Sequence, residues 1–217
     1  MSTEGYVIYV SDVESTGLNK ENNEIIELSM LRLFLDGSKD DEQKTWLLKA
    51  LKPETIEDEA LKINGHKRED ILCLSEFGKE NYLHPEVVLP QIENWIAEDD
   101  MTSSDRVLGG QNVLFDFEMM ECTWKRFNSI DTFPFQLGHN KLTVDTKQLA
   151  LFIDIIAGKR RKFYNLGSLV KDYGIKKEKA HRADADVRMT KDLLLKQIEP
   201  FIKIIKEGKL DIFPKTI

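Results

Sequence analysis

Asp12 and Glu14, in the stretch "VSDVESTG", stand where an apolar run from Tyr6 to Val10 gives out. Such a run reads as a strand buried on both faces, and residues two apart on a strand project from the same side. Two carboxylates held that close repel at neutral pH, and a shared proton or a metal ion relieves the repulsion. The other reading of an isolated pair is a strand end whose acids simply reach water. Two further groups bear on the choice. Asn112 and Asp116 are four residues apart at the start of a predicted helix, which gives them a common face at the end of a strand. An aspartate in a first helical turn also serves the helix dipole on its own. In "AHRADADV", His181 and Asp186 are five apart, about 140° around a continuous helix. They converge only if His181 lies on a loop and Asp186 in the first turns of the helix that follows, and a histidine on a loop beside three acids is a candidate base.

The elements that must position these groups follow from periodicity. Glu24 to Leu35 ("EIIELSMLRLFL") has much of the alternation of a half-exposed strand, Asp36-Gly37 suits a hairpin turn, and Thr45 to Lys52 returns beside it until Pro53. Three meandering strands followed by a helix-rich remainder predict a mixed α/β sheet, with later strands added in parallel through crossovers. A short helix ends at Asn64-Gly65, a second lies between Pro90 and Asp99, and "DRVLGGQN" is a strand whose glycines allow a close approach. Val113, Phe117, Met120, Trp124 and Phe127 form the apolar stripe of the clearest helix, which is core packing. "KLTVDTKQLALF" reads as a strand running into a helix whose apolar residues face the core. "GSLVKDYGI" is a helix stopped by Gly174, and Val187 to Lys206 a long helix with Pro200 as a kink or break. No repeat or linker interrupts the chain, so a single domain is expected.

The chain has 217 residues, 41% hydrophobic and 32% charged, as expected of a globular protein with a substantial core. The N-terminal apolar run is too short for a signal sequence or a membrane span, which points to a cytoplasmic protein without membrane association. Cys73 and Cys122 lack metal-site spacing and fall in apolar stretches, as packed thiols do. A net charge of −7 argues against broad coating of nucleic acid, yet nine basic residues face two acidic ones between Ala157 and Arg182. Within that stretch, "GKRRKFYN" supplies Arg160, Arg161 and Lys162 beside aromatic residues, a composition suited to a phosphate backbone with unpaired bases and equally that of a solvated loop.

"DVESTG", "NVLFD" and "HRADAD", in this order and at these separations, resemble the three motifs of the DEDDh 3′-to-5′ exonucleases, the group that includes the proofreading subunit of bacterial replicative polymerases, ribonuclease T and oligoribonuclease. The resemblance runs from Tyr6 to about Leu195 and leaves residues 196–217 as a C-terminal helical extension. It implies a ribonuclease H-like fold: an antiparallel meander plus parallel strands, flanked by helices. It also implies that Asp12, Glu14, Asp116 and Asp186 hold two divalent ions and that His181 takes the proton from the attacking water. Hard oxygen donors suit Mg²⁺ or Mn²⁺, and such an ion pair both activates water and neutralises a leaving oxygen. Ser15 stands where the family commonly has Thr, and "INGH" where "HGI" is common, so His66 falls in a segment that in relatives lies near the terminal nucleotide. By the same resemblance Ser15, Thr16, Gly17 and Leu18, with Asn112 and Phe115 of the second motif, are candidate substrate contacts. Leu18 would serve as a wedge against a base or simply pack.

The expected substrate is a single-stranded DNA 3′ end, released as nucleoside 5′-monophosphates in proofreading or repair beside a polymerase or repair partner. An exoribonuclease acting on RNA ends or short oligoribonucleotides is the alternative, because no residue read here decides whether a 2′-hydroxyl is accepted. A non-catalytic binding module would be expected to lack one of the four acids, and all are present.

Overall fold

A computed structural model describes residues 5–35, 37, 39–178 and 182–207. Strands β1 (Val7–Ser15), β2 (Ile25–Leu33), β3 (Glu42–Leu47), β4 (Arg106–Gly110) and β5 (Thr143–Asp145) form one sheet in the order β3-β2-β1-β4-β5. The first three pair antiparallel, and β4 and β5 add in parallel, as the meander-then-crossover pattern predicts. Around the sheet run α1 (Asp58–Asn64), α2 (Arg68–Ile71), α3 (Glu76–Asn81), α4 (Pro85–Ala97), α5 (Leu114–Arg126), α6 (Thr146–Ile156), α7 (Leu166–Asp172) and α8 (Ala183–Lys206). Among the described residues no helix is long and apolar enough to cross a membrane.

Alternation along the strands divides the core. Val7, Tyr9 and Val13 of β1 and Leu28 and Met30 of β2 share one apolar cluster with Ile92 and Trp95 of α4 and Phe117 and Met120 of α5. The intervening Ile8 and Val10, with Leu31 and Leu33, pack on the opposite face against Val187 and Leu194 of α8. Because both faces are covered, β2 is buried along its whole length, which corrects the expectation of a half-exposed strand. Its polar letters Glu27, Ser29 and Arg32 are interior groups with partners, not solvent-facing ones.

Other boundaries also differ. The third strand is Glu42–Leu47, and Pro53 opens a short 3₁₀ turn instead of ending the strand. Helix α4 starts at Pro85, capped by the His84 ring accepting from the Glu86 amide, and simply contains Pro90. Helix α8 starts at Ala183 and runs through Pro200 unbroken. Gly65 and Gly174 adopt positive φ, 76° and 66°, where the sequence places helix ends. Leu151 and Phe152 of α6 are exposed, so only part of "LALF" faces the core as expected. Asp36 of the expected hairpin turn, His181 and the chain end after Glu207 lie outside the described residues.

Candidate active site

The face of the sheet under α8 is apolar at one end and acidic at the other. Ile8 and Val10 of β1 are followed on the same side by Asp12 and Glu14, and opposite them in the antiparallel register stand Ser29 and Glu27. Helix α8 lies across this face, and its first turn lowers Asp186 toward the strand. One carboxylate oxygen from each of Asp12, Glu14 and Asp186 lies within 4.8 Å of the others. Asp116 comes from the first turn of α5, is buried, and accepts the Val13 backbone N–H at 3.0 Å, which fixes it beside Asp12. Gly110, at the end of β4, lets α5 begin this close: a Cβ there would sit 3.0 Å from Val113 and 3.3 Å from the Ser11 carbonyl oxygen.

The electrostatics are those of unneutralised acids. Burial, then the charges of Asp116, Glu14, Asp186 and Glu27, push Asp12 well above the usual carboxylate range. Glu14 is raised to about 8 by burial and by Glu27, Asp186 and Asp116, against a lowering influence from Arg182. Asp116 rises to about 8, again chiefly through burial, although the Val13 amide and its own backbone N–H favour the charged form. Among the described residues no Lys or Arg forms an ion pair with Asp12, Glu14 or Asp116. A compact set of hard oxygen donors with no ion-paired Lys or Arg among the described residues fits a divalent cation.

The turn after β1 is held by its own side chains. The Ser15 hydroxyl donates to the Gly17 carbonyl at 2.6 Å, and the buried Thr16 hydroxyl accepts the Glu24 amide at 2.9 Å. Gly17 fits closely against Glu57 and Asn23, which leaves Leu18, 76% exposed, as the group this turn presents outward. Asn112 departs from expectation. Helix α5 starts only at Leu114, and Asn112 sits before it at φ 64°, a conformation asparagine tolerates. Its amide donates to Asp145 Oδ1 and its Oδ1 accepts from Lys147, so it is tied to the start of α6 instead of sharing a helix face with Asp116. Phe115 is half-buried, with the Lys20 ammonium 5.9 Å from its ring centre.

His66 also departs from the open position expected of a substrate contact. Its ring is buried, with Nε2 2.8 Å from Glu27 Oε2 and Nδ1 2.5 Å from the Tyr82 hydroxyl. In the basic stretch, Arg161 is committed to Asp154 and Asp172, each at 2.8 Å, and so staples its own loop. Arg160 and Lys162 remain exposed. Lys162 and Phe163 line a cleft of about 540 Å³ with Gln111, Asn112, Lys147 and Tyr164. The residue the sequence reading missed is Glu27. Its only signal was an acid within "EIIEL".

A family model described as Exonuclease (RNase T) matches residues 9–194, and the chain belongs to that family, in its DEDDh 3′-to-5′ branch. Among curated proteins it is 26% identical over 199 residues to the PolC-type DNA polymerase III of Staphylococcus aureus, an alignment covering 89% of this chain and 11% of the polymerase. Among solved structures, E. coli exonuclease I in its zinc-bound complex with single-stranded DNA superposes with a TM-score of 0.70 at 18% identity, over 94% of this chain and 43% of that one. Exonuclease I of Methylocaldum szegediense gives 0.68 at 17% identity, over 90% of this chain and 40% of that one. These likenesses show the ribonuclease H-like exonuclease fold. The chain thus spans about a tenth of the polymerase and less than half of the exonucleases.

Proposed function

We propose that this chain hydrolyses single-stranded DNA from the 3′ end and releases nucleoside 5′-monophosphates, in proofreading or repair beside a polymerase or repair partner. The observation that carries the reading is the convergence of Asp12, Glu14 and Asp186 within 4.8 Å at the end of the sheet, with Asp116 fixed beside them. These four acids would hold two divalent ions, Mg²⁺ or Mn²⁺. When bound, the ions supply a nucleophilic water at neutral pH and charge neutralisation for the leaving oxygen.

The other roles belong to the chain's own side chains. His181 accepts the proton of the attacking water at a ring nitrogen. Leu18 packs against the terminal base from the turn that Ser15, Thr16 and Gly17 hold in shape. Arg160 and Lys162 contact the phosphates upstream, with Phe163 offering a stacking face. The matched relatives include a DNA polymerase and an exonuclease complexed with single-stranded DNA, which supports DNA as the substrate.

The test is mononucleotide release from matched single-stranded DNA and RNA of one sequence, with Mg²⁺, Mn²⁺ or EDTA. Metal-dependent release that favours DNA is the expected result. Preference for RNA would overturn the substrate assignment, and oligonucleotide binding without release would make the chain a binding module.

A further inference from the structure

We propose that Glu27, clamped by His66 and Tyr82, is an outer carboxylate of the acidic site that sets its affinity for divalent cations. The inference rests on the cation-binding reading of Asp12, Glu14 and Asp186 and extends it to a residue outside that set. Glu27 stands directly opposite Glu14 in the pairing of β1 with β2, so both side chains leave the sheet on the same face. Its side chain is fully buried. A carboxylate in the middle of a covered strand, next to three others, is unfavourable for folding by itself, and an apolar residue would fill the position at lower cost.

Two observations indicate what it does there. The first is the clamp. Glu27 Oε2 lies 2.8 Å from His66 Nε2, His66 Nδ1 lies 2.5 Å from the Tyr82 hydroxyl, and Arg182 Nε stands 3.6 Å from the same Oε2. The His66 ring thus ties the Glu27 carboxylate to the Tyr82 hydroxyl through its two nitrogens, an arrangement that fixes the carboxylate's orientation. The second is Glu27 Oε1, which is buried and has no hydrogen-bond partner among the described residues. A buried carboxyl oxygen left without a partner needs a donor, and water carried by a bound cation is a donor this wall of carboxylates would attract. Partners of this outer kind typically change metal affinity by about 10- to 100-fold when removed.

The experiment measures Mn²⁺ binding to the whole chain from the electron paramagnetic resonance signal of free Mn²⁺, beside thermal melting of the metal-free protein. The forms compared are wild type, Asp12→Asn, Glu27→Gln and Tyr82→Phe. The expected result is loss of tight binding in Asp12→Asn, about tenfold weaker binding in Glu27→Gln, and a smaller weakening in Tyr82→Phe, which removes only the far end of the clamp. Glu27→Gln binding like wild type, while Asp12→Asn does not, would overturn the inference and leave the cation site standing. The same holds if Glu27→Gln lowers the melting temperature without moving Mn²⁺ affinity, since Glu27 would then only brace the fold. Equal binding by wild type and Asp12→Asn would overturn the cation site itself, and this inference with it. Should Glu27→Gln fail to fold, unchanged affinity in Tyr82→Phe overturns the inference.

Discussion

Acids are buried at both ends of the central strand, and the two ends treat them in opposite ways. Near its start, Tyr9 donates to Asp99 Oδ2 at 2.8 Å, and Arg106 grips the same carboxylate with Nη2 on Oδ1 at 2.7 Å and Nε on Oδ2 at 2.9 Å. The Met101 amide adds a fourth bond at 2.8 Å. Burial pushes Asp99 up, but the bonds from Arg106, Met101 and Tyr9 outweigh it and hold the carboxyl below its ordinary value. At the other end Asp12, Glu14 and Asp116 form no ion pair with a Lys or Arg among the described residues and are all pushed up. The protein neutralises the first site from its own sequence, whereas under the proposed function cations from solution would neutralise the second. On that proposal the difference is one between a structural charge and a functional one.

Breaking each end should therefore have opposite consequences. Asp12→Asn is expected to lower exonuclease turnover on the order of a thousandfold. It should also raise the melting temperature of the metal-free protein, by about 3 °C for each kcal/mol of repulsion removed. Assay and melting of the same preparation check both. Arg106→Met leaves Asp99 buried without its partner and should cost about 3–5 kcal/mol in denaturant unfolding, with Mn²⁺ affinity unchanged.

The pH dependence separates the ends again. Asp99 has a depressed folded pKa, so its contribution is present above the ordinary carboxylate pKa of about 3.9 and lost as pH falls through the folded value. Glu14 and Asp116 have folded pKa values raised to about 8. Without metal, folding takes up protons at these groups, so stability should decline as pH rises from about 4 toward 8. Added Mg²⁺ should restore it at pH 8, and melting curves across pH with and without Mg²⁺ measure this. The smallest effect is expected from Leu18→Ala, which should raise KM about tenfold, equivalent to about 1.4 kcal/mol, with melting temperature unchanged.

The acids were legible before the structure because a strand of period two puts Asp12 and Glu14 on one face and because the three short motifs resemble those of a family that uses such a set. Asp12 and Glu14 needed only the strand, and Asp186 only a helix start near Ala183. What local rules do not carry is which side chains another element covers. Glu27 and Arg32 read as surface letters on either side of the strand until helices lie on both faces of β2. Asn112 was read as sharing the face of the helix start with Asp116, but it has a left-handed backbone before that start and contacts Asp145 and Lys147, 33 and 35 residues away in sequence. His66 was placed near the substrate by the family resemblance, whereas here its ring is held by Glu27 and Tyr82. Pro90 was read as a helix start because proline favours that place, yet an earlier one, Pro85, already occupies it.

The central claim is that the acidic end of the sheet is completed by divalent cations and then cuts a 3′ end. Its most direct test is digestion of a 5′-labelled single-stranded oligodeoxynucleotide by EDTA-stripped protein as Mg²⁺ or Mn²⁺ is returned, with Asp12→Asn alongside. The predicted result is a ladder shortening from the 3′ end that appears only with the cation and only in the wild type. Shortening at the same rate in EDTA, or in Asp12→Asn, would contradict the account.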